Sequence, residues 1–196
     1  MRVVTLVPLD PTTRVRSFDY LADALQSAFR TEVRVRAPWF DVDDVFEPSR
    51  GQYSSTEILA HLLRAPTEIA AAGGKLLGVT GVDLFIPVLT FVFGEAQLDG
   101  RAAVVSTHRL RGELYGLPPN GARLRDRLAK EAIHELGHTY GLVHCHVPEC
   151  VMNSSTYVEE IDLKSSEFCT GCRSVIDAAT AGSLNPAVGE NRGDRV

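Results

Sequence analysis

The first half of the chain contains two kinds of apolar segment. In some segments apolar residues follow one another, and in others they recur at helical spacing. Residues 3–8 and 76–85 are rich in Val and Leu, which is typical of buried strands. Residues 17–30 carry Leu21, Leu25 and Phe29 three or four positions apart, which indicates a helix, and residues 32–36 alternate like a strand. After a predicted loop over residues 38–52, a second helix is expected to start with Ser55 or Thr56 as its cap and to run to about Leu63.

The second half of the chain has a hairpin followed by a long helix. Two strands are predicted, over residues 91–97 and 102–106, and the Asp99-Gly100 pair between them is a strong hairpin signal. The two prolines before Asn120 end the preceding regular structure, and Asn120 can cap a helix over residues 122–140. A last helix is predicted over residues 173–181.

Residues 159–164 contain a cluster of charges after the long helix. We interpret Glu159, Glu160, Asp162 and Lys164 as a solvated face, which is the usual setting of charged side chains. No helix is predicted there.

The order of these elements predicts an α/β (α+β) fold. We expect a mixed twisted sheet with an antiparallel edge strand, packed by helices, together with a small loop-rich C-terminal part. The prediction is one domain over residues 1–182, divided into an N-terminal subdomain (1–141) and a C-terminal subdomain (142–182). Residues 183–196 are expected to form a flexible tail.

Composition excludes several classes of protein. Of the 196 residues, 44% are apolar and 23% are charged, as in ordinary globular proteins. The net charge of −5 disfavours a nucleic-acid partner, and no apolar run is long enough for a membrane helix. Because the start MRVVTLVPLD does not resemble a secretory signal, we expect a cytoplasmic protein, and we expect a monomer with no membrane or nucleic-acid partner.

The segment HELGHTYGLVH has the spacing of a catalytic zinc site. His134 and His138 are four residues apart on a predicted helix and therefore share one face. Glu135 can flank the ion without binding it and could take a proton from water. The alternative is that the two histidines are unrelated residues on a helix surface.

His144 is the candidate third ligand. A continuous helix would place it about 15 Å from His134 along the axis, so the chain must turn back after His138. Gly141 stands where this turn is needed, and glycine adopts the left-handed conformation at low cost. Three imidazoles would leave a fourth position open, which is the pattern of catalytic zinc.

The four cysteines form a second candidate zinc site. Cys145 and Cys150 are followed by the CxxC pair Cys169 and Cys172, and no other cysteine occurs in the chain. Four thiolates can close a tetrahedral zinc site, which would be structural and would hold the loop of His144. The alternatives are free thiols packed as small apolar groups, or a Cys145–Cys150 disulfide, which the cytosol disfavours.

These motifs predict a zinc-dependent peptidase that acts on a peptide substrate with Glu135 as general base. The alternative is a zinc-stabilised binding module for peptides or proteins with little or no catalysis. The presence of Glu135 favours the enzyme, since a binding role has no evident need for it.

The runs HELGHTYGLVHC and CVM, followed by FCTGC, resemble the archaemetzincins, a branch of the metzincin zinc metallopeptidases. This resemblance implies a metzincin-like fold with two zinc ions per chain, one catalytic and one structural. It also implies that Met152 forms a tight Met-turn as an apolar floor under the catalytic site. Metzincins bind an extended peptide along an edge strand, and the resemblance assigns that role to Phe91, Val92, Phe93, Gly94, Glu95 and Ala96.

Overall fold

The computed structural model describes residues 3–10, 17–72 and 74–181. The predicted flexible tail, residues 183–196, lies outside the described residues. Within this described part of the chain, no helix is both long enough and apolar enough to cross a lipid bilayer.

Strands and short helices are interspersed along the chain before the long helix. They are β1 (Val3–Pro8), α1 (Asp19–Phe29), β2 (Glu32–Val35), a 3-10 helix (Val42–Val45), β3 (Phe46–Glu47), β4 (Gln52–Ser54), α2 (Ser55–Leu63), α3 (Thr67–Ala72), β5 (Lys75–Thr80), β6 (Leu84–Phe85), β7 (Gly94–Ala96), β8 (Ala102–Ser106), a second 3-10 helix (Gly112–Tyr115), α4 (Gly121–Thr139), α5 (Val158–Leu163) and α6 (Thr170–Thr180).

The main sheet has five strands in the order β2-β1-β5-β8-β7. The first four strands are parallel, and β7 runs antiparallel to β8 at the edge. The turn between β7 and β8 contains Asp99 with φ +52, as the Asp-Gly signal predicted. The predicted mixed sheet with an antiparallel edge strand is therefore confirmed.

Both faces of the sheet are buried, which explains the continuous apolar runs. In β1, Val4 and Leu6 face a core that includes α1 and α4, whereas Val7 faces a second core beneath α2. The same alternation occurs in β8, where Val105 faces the first core and Val104 the second. The long helix therefore lies on one face of the sheet.

Two parts of the N-terminal half differ from the prediction. The predicted loop over residues 38–52 contains a 3-10 helix, β3 and the first residue of β4, and these two strands belong to a small sheet in the order β3-β4-β6. The single strand predicted over residues 76–85 is split, because Gly81 donates a hydrogen bond to Asp10 and the chain turns before β6. The cap of α2 is Ser54 rather than Ser55 or Thr56.

The C-terminal part contributes to the same core as the sheet. Leu142, Val151 and Ile161 belong to the core cluster that includes Val4 and Leu6. The helix α5 was not predicted, and it lies where residues 159–164 were interpreted as a solvated face. The division into two subdomains stays a prediction.

Candidate metal centres and active-site cleft

The helix α4 brings the first two candidate ligands together. Its first turn is capped by Asn120, whose side chain accepts a hydrogen bond from the Arg123 amide. His134 is buried and His138 is half-buried one turn later, and their Nε2 atoms are 3.1 Å apart. The predicted shared face is therefore present.

The turn at Gly141 delivers the third histidine. Gly141 has φ +89, and its amide donates to the carbonyl of His138 while Leu142 donates to that of Gly137. This hydrogen-bond pattern is a Schellman motif, which ends the helix and reverses the chain. As a result, the ring of His144 lies 5.3 Å from that of His134 and 5.1 Å from that of His138, and one ligand atom of each residue lies within 4.8 Å of the others.

Hydrogen bonds from Nδ1 to backbone carbonyl groups orient two of the three imidazole rings. Nδ1 of His134 is 2.8 Å from the carbonyl oxygen of Val151, and Nδ1 of His138 is 2.7 Å from that of Leu142. A carbonyl can only accept, so each Nδ1 carries the proton and each Nε2 presents a lone pair. Two lone pairs then face each other at 3.1 Å, close to the separation of about 3.3 Å for two nitrogens on one tetrahedral zinc. The donor set therefore fits Zn²⁺.

Burial also favours the neutral imidazoles that bind metals. It lowers the pKa of His134 well below its usual value, with a further contribution from the positive charge of Lys164. Burial likewise lowers the pKa of His138 and of His144, which is the most exposed of the three rings.

Glu135 lies between the histidines and the edge strand. Its side chain is buried against the backbone of Gly94, where a Cβ would stand 2.6 Å from the Glu135 Cγ. Burial raises the pKa of Glu135 well above its usual value, and the negative charge of Glu131 adds to this. A cation held by the adjacent imidazoles would act in the opposite direction, because positive charge favours the carboxylate.

Met152 packs against the helix α4 at Gly137. It is fully buried, and a Cβ on Gly137 would stand 2.5 Å from its sulfur. The absence of a side chain at Gly137 therefore lets the thioether pack directly on α4. The sequence reasoning missed Gly137, although its place inside HELGH was a visible signal.

The four cysteines form a second cluster. Their sulfur atoms lie within 4.8 Å of one another, and none is in a disulfide. The Cys145 and Cys169 sulfurs are 3.8 Å apart, which equals the spacing of about 3.8 Å for two thiolates on a tetrahedral zinc. The backbone N–H of Cys172 lowers the pKa of Cys169 to about 7, whereas burial raises that of Cys150. The donor set therefore fits a closed zinc site.

Backbone and side-chain hydrogen bonds link the two centres at Cys145, the residue after His144. Its amide donates to the carbonyl of Met152 at 2.9 Å, and its carbonyl accepts from the side chain of Asn153 at 2.9 Å. The loop that carries His144 is thus held by hydrogen bonds to Met152 and Asn153, next to the cysteine cluster.

A cleft of about 390 Å³ opens beside the histidines. Residues 89–94 form one rim, α4 contributes Glu131, His134 and Glu135, and residues 154–156 form the opposite wall, with His144 at the side. The cleft therefore joins the candidate metal centre to the edge of the sheet.

The predicted substrate strand is shorter than expected. Only Gly94, Glu95 and Ala96 belong to β7, because Val92 pairs instead with Leu84. The carboxylate of Glu95 points away from the cleft and accepts hydrogen bonds from Ser55 and Thr56. Any contribution of Glu95 to peptide binding is therefore limited to its backbone.

An ion pair that the sequence reasoning missed lies beneath the cleft. The interpretation of a solvated face was wrong for Lys164, which is buried with its Nζ atom 2.9 Å from Glu131. Asp162 is exposed, as interpreted, although it accepts two hydrogen bonds from the buried Arg127. The spacing of Val158 and Ile161 was a signal for the helix that carries them.

Comparisons with known proteins agree with this geometry. Residues 33–178 match the model of peptidase family M54. The chain is 38% identical to an archaemetzincin of Thermococcus kodakarensis, over 88% of this chain and 94% of that relative. An archaemetzincin of Methanocaldococcus jannaschii is 49% identical over 63% of this chain and 65% of its own length.

A solved structure shows the same fold. The crystal structure of the archaemetzincin from Methanopyrus kandleri matches with a TM-score of 0.79 and 33% identity, over 92% of this chain and 96% of that one. The predicted metzincin-like fold is confirmed by this match. The chain therefore belongs to peptidase family M54, the archaemetzincins, and is a zinc metallopeptidase.

Proposed function

We propose that this chain hydrolyses peptide bonds in the cleft, with a catalytic zinc on His134, His138 and His144. The observation that carries the proposal is the pair of Nε2 lone pairs that face each other at 3.1 Å. Two acceptor atoms repel each other at this distance unless a proton or a metal lies between them. Because each Nδ1 carries the proton, a metal ion is the occupant that the geometry favours.

A zinc ion bound there supplies Lewis-acid chemistry, which activates water and polarises a carbonyl group. Glu135 lies next to this position and lines the cleft, so its carboxylate can accept a proton from the attacking water. The same group can then deliver the proton to the amine that leaves. Its contact with Gly94 holds the carboxylate between the zinc ligands and the edge strand.

The edge strand offers a place for an extended peptide. In the sheet order β7 is the last strand and pairs with β8 on one side. A peptide could add to its other side by backbone hydrogen bonds, as in strand addition. We therefore propose that Gly94, Glu95 and Ala96 position the substrate backbone, while residues 91–93 contact its side chains from the cleft rim.

We further propose a second, structural zinc on Cys145, Cys150, Cys169 and Cys172. Four thiolates leave no open position, so this ion would not take part in hydrolysis. The count of two zinc ions per chain rests on the two donor sets together.

The test is a peptide-library digest that compares the wild-type chain with Glu135→Gln, both loaded with zinc. We expect the variant to keep its zinc and to lose about 100- to 10,000-fold in cleavage rate, the usual contribution of a general base. Full activity in Glu135→Gln would contradict the role of Glu135. No cleavage by the zinc-loaded wild type would favour the alternative, a zinc-stabilised binding module.

A further inference from the structure

The edge strand β7 has only three residues, Gly94, Glu95 and Ala96. Among the strands of the described residues it pairs with β8 on one side, and its other side is the outer edge of the main sheet. A strand this short makes few hydrogen bonds with its neighbour. Because a peptide gains most from backbone groups that are already in place, strand addition requires further contacts that hold β7.

The hydrogen bonds with β8 determine which backbone groups of β7 point outward. The carbonyl of Phe93 accepts from the last amide of β8, and the amide of Gln97 donates to the first carbonyl of β8. Hydrogen-bonded and non-hydrogen-bonded pairs alternate in an antiparallel ladder, so Glu95, midway between these two residues, also directs its backbone groups to β8. The N–H and C=O groups of Gly94 and Ala96 therefore face the outer edge, where a peptide would add.

The side chain of Glu95 faces α2. Its Oε2 atom is 2.6 Å from the hydroxyl of Ser55, and both of its carboxylate oxygens are 3.0 Å from the hydroxyl of Thr56. The two hydroxyl groups lie in the first turn of α2, where the helix dipole also favours a negative charge. Hydrogen bonds to an ionised group are stronger than those between neutral groups. Glu95 therefore joins the middle of β7 to the start of α2.

Ser55 connects this contact to the rim of the cleft. It is fully buried, and its hydroxyl is 3.0 Å from the carbonyl oxygen of Phe85 in β6. The neighbouring residue of β6, Leu84, accepts a hydrogen bond from the amide of Val92, which lines the cleft. The carboxylate of Glu95 is thus held at a junction of α2, β6 and β7.

From these contacts we infer that Glu95 is a positioning residue for the substrate strand. Its carboxylate holds β7 at the start of α2, so that Gly94 and Ala96 present their outward backbone groups to a peptide. Glu95 does not line the cleft, so the effect reaches a substrate through the backbone of β7. The inference rests on the proposed function, because that function places an extended peptide on β7.

The experiment measures backbone pairing with N-methylated peptides. A hexapeptide that the library digest shows to be cleaved is compared with copies in which one backbone nitrogen at a time is methylated. Methylation removes an N–H group that could donate to a carbonyl of the edge strand. For the zinc-loaded wild type we expect methylation near the cleaved bond to lower kcat/KM about two- to tenfold at one or two positions, mainly through KM.

Two variants test whether Glu95 sets this pairing. Glu95→Ala should raise the KM of the parent peptide about two- to tenfold and should reduce the effect of methylation, while kcat changes less because Glu135 stands on α4. Thr56→Val keeps the contact with Ser55 and should change KM in the same direction by less. The double variant should be no worse than Glu95→Ala, because both substitutions remove the same contact. If Glu95→Ala does not fold, Thr56→Val still tests the inference.

A matched control separates positioning from stability. Glu57 is an exposed carboxylate in the same first turn of α2. Glu57→Ala should lower the melting temperature slightly and leave both KM and the effect of methylation as in the wild type. The inference would be overturned by wild-type KM and methylation effects in both Glu95→Ala and Thr56→Val. It would also be overturned if Glu57→Ala changed them as much as Glu95→Ala does.

Binding distinguishes this inference from the proposed hydrolysis. If the wild type cleaves nothing, the library peptide with the highest affinity and its methylated copies are titrated by calorimetry into the zinc-loaded chain. Methylation that weakens binding to the wild type but not to Glu95→Ala would support the inference while the proposed hydrolysis fails. Cleavage that is insensitive to methylation at every position would leave hydrolysis standing and overturn the inference. Absence of both cleavage and binding would overturn both.

Discussion

The histidine centre and the cysteine centre are built in different ways. His134 and His138 stand on one helix, and the Nδ1 atom of each is held by a backbone carbonyl group. The four cysteines come from the loop after α4 and from the start of α6, and these segments meet at the sulfur atoms. The comparison teaches that the geometry of the first centre depends mainly on one helix and its backbone hydrogen bonds, whereas the second centre joins segments that are distant in the sequence.

The largest expected effect follows from loss of the cysteine centre. Cys169→Ser removes a ligand from the site that holds the loop of His144, and structural zinc contributes on the order of 10 kcal/mol to folding in small zinc domains. We expect the variant to lose both zinc ions and all peptide cleavage, as measured by metal analysis and a digest. His138→Ala should lose only one zinc. Loss of only one zinc ion from Cys169→Ser, with cleavage retained, would show that the centres are independent.

A smaller effect is expected at the turn between the centres. Gly141→Ala places a Cβ at φ +89, which strains the backbone by roughly 1–2 kcal/mol. Because the turn delivers His144, zinc at the histidine centre should weaken while zinc at the cysteines stays. Competition with a chelator followed by metal analysis measures this difference. Gly116→Ala, where φ is +78 and a Cβ meets no atom within 4 Å, is the control, because it carries a similar strain outside both centres.

Met152 packs against Gly137 on the helix that carries His134 and His138, and a substitution at Gly137 tests whether this contact matters. A Cβ at Gly137 would stand 2.5 Å from the Met152 sulfur, so Gly137→Ala must displace the thioether. Overpacking of this kind costs about 1–3 kcal/mol, and we expect a lower melting temperature with a reduced kcat. The double variant Gly137→Ala with Met152→Ala should recover part of the kcat. If the double variant does not recover kcat, the clash between residue 137 and Met152 is not the cause of the lower kcat.

The smallest effect is expected at Asn153. Its side chain donates one hydrogen bond to Cys145, next to His144, and a single bond of this kind contributes about 0.5–1.5 kcal/mol. Asn153→Ala should lower the melting temperature slightly and weaken zinc at the histidine centre a few-fold. A measured loss of zinc from the cysteine centre alone would contradict this link between the two centres.

The sequence predicted those features that depend on local spacing. The helix period places His134 beside His138, and the position of Gly141 predicts the turn that brings in His144. The strands were predictable because burial of both sheet faces leaves continuous apolar runs. The Asp-Gly pair predicted the hairpin for the same local reason.

Features that depend on distant partners were not predictable in this way. Lys164 looks like a surface residue until Glu131, from another helix, is seen beside it. Ser55 does not cap α2, because its hydroxyl bonds to Phe85 and Glu95 from other strands. The strand over residues 91–97 was shortened for a similar reason, since Val92 pairs with Leu84.

Zinc titration of the metal-free chain tests the central claim most directly. Bound zinc per chain and the rate of peptide cleavage are measured together as zinc is added. We predict that the first equivalent fills the cysteine centre without activity, and that cleavage appears as the second equivalent fills the histidine centre. Full activity with one zinc per chain, or cleavage without zinc, would contradict the account.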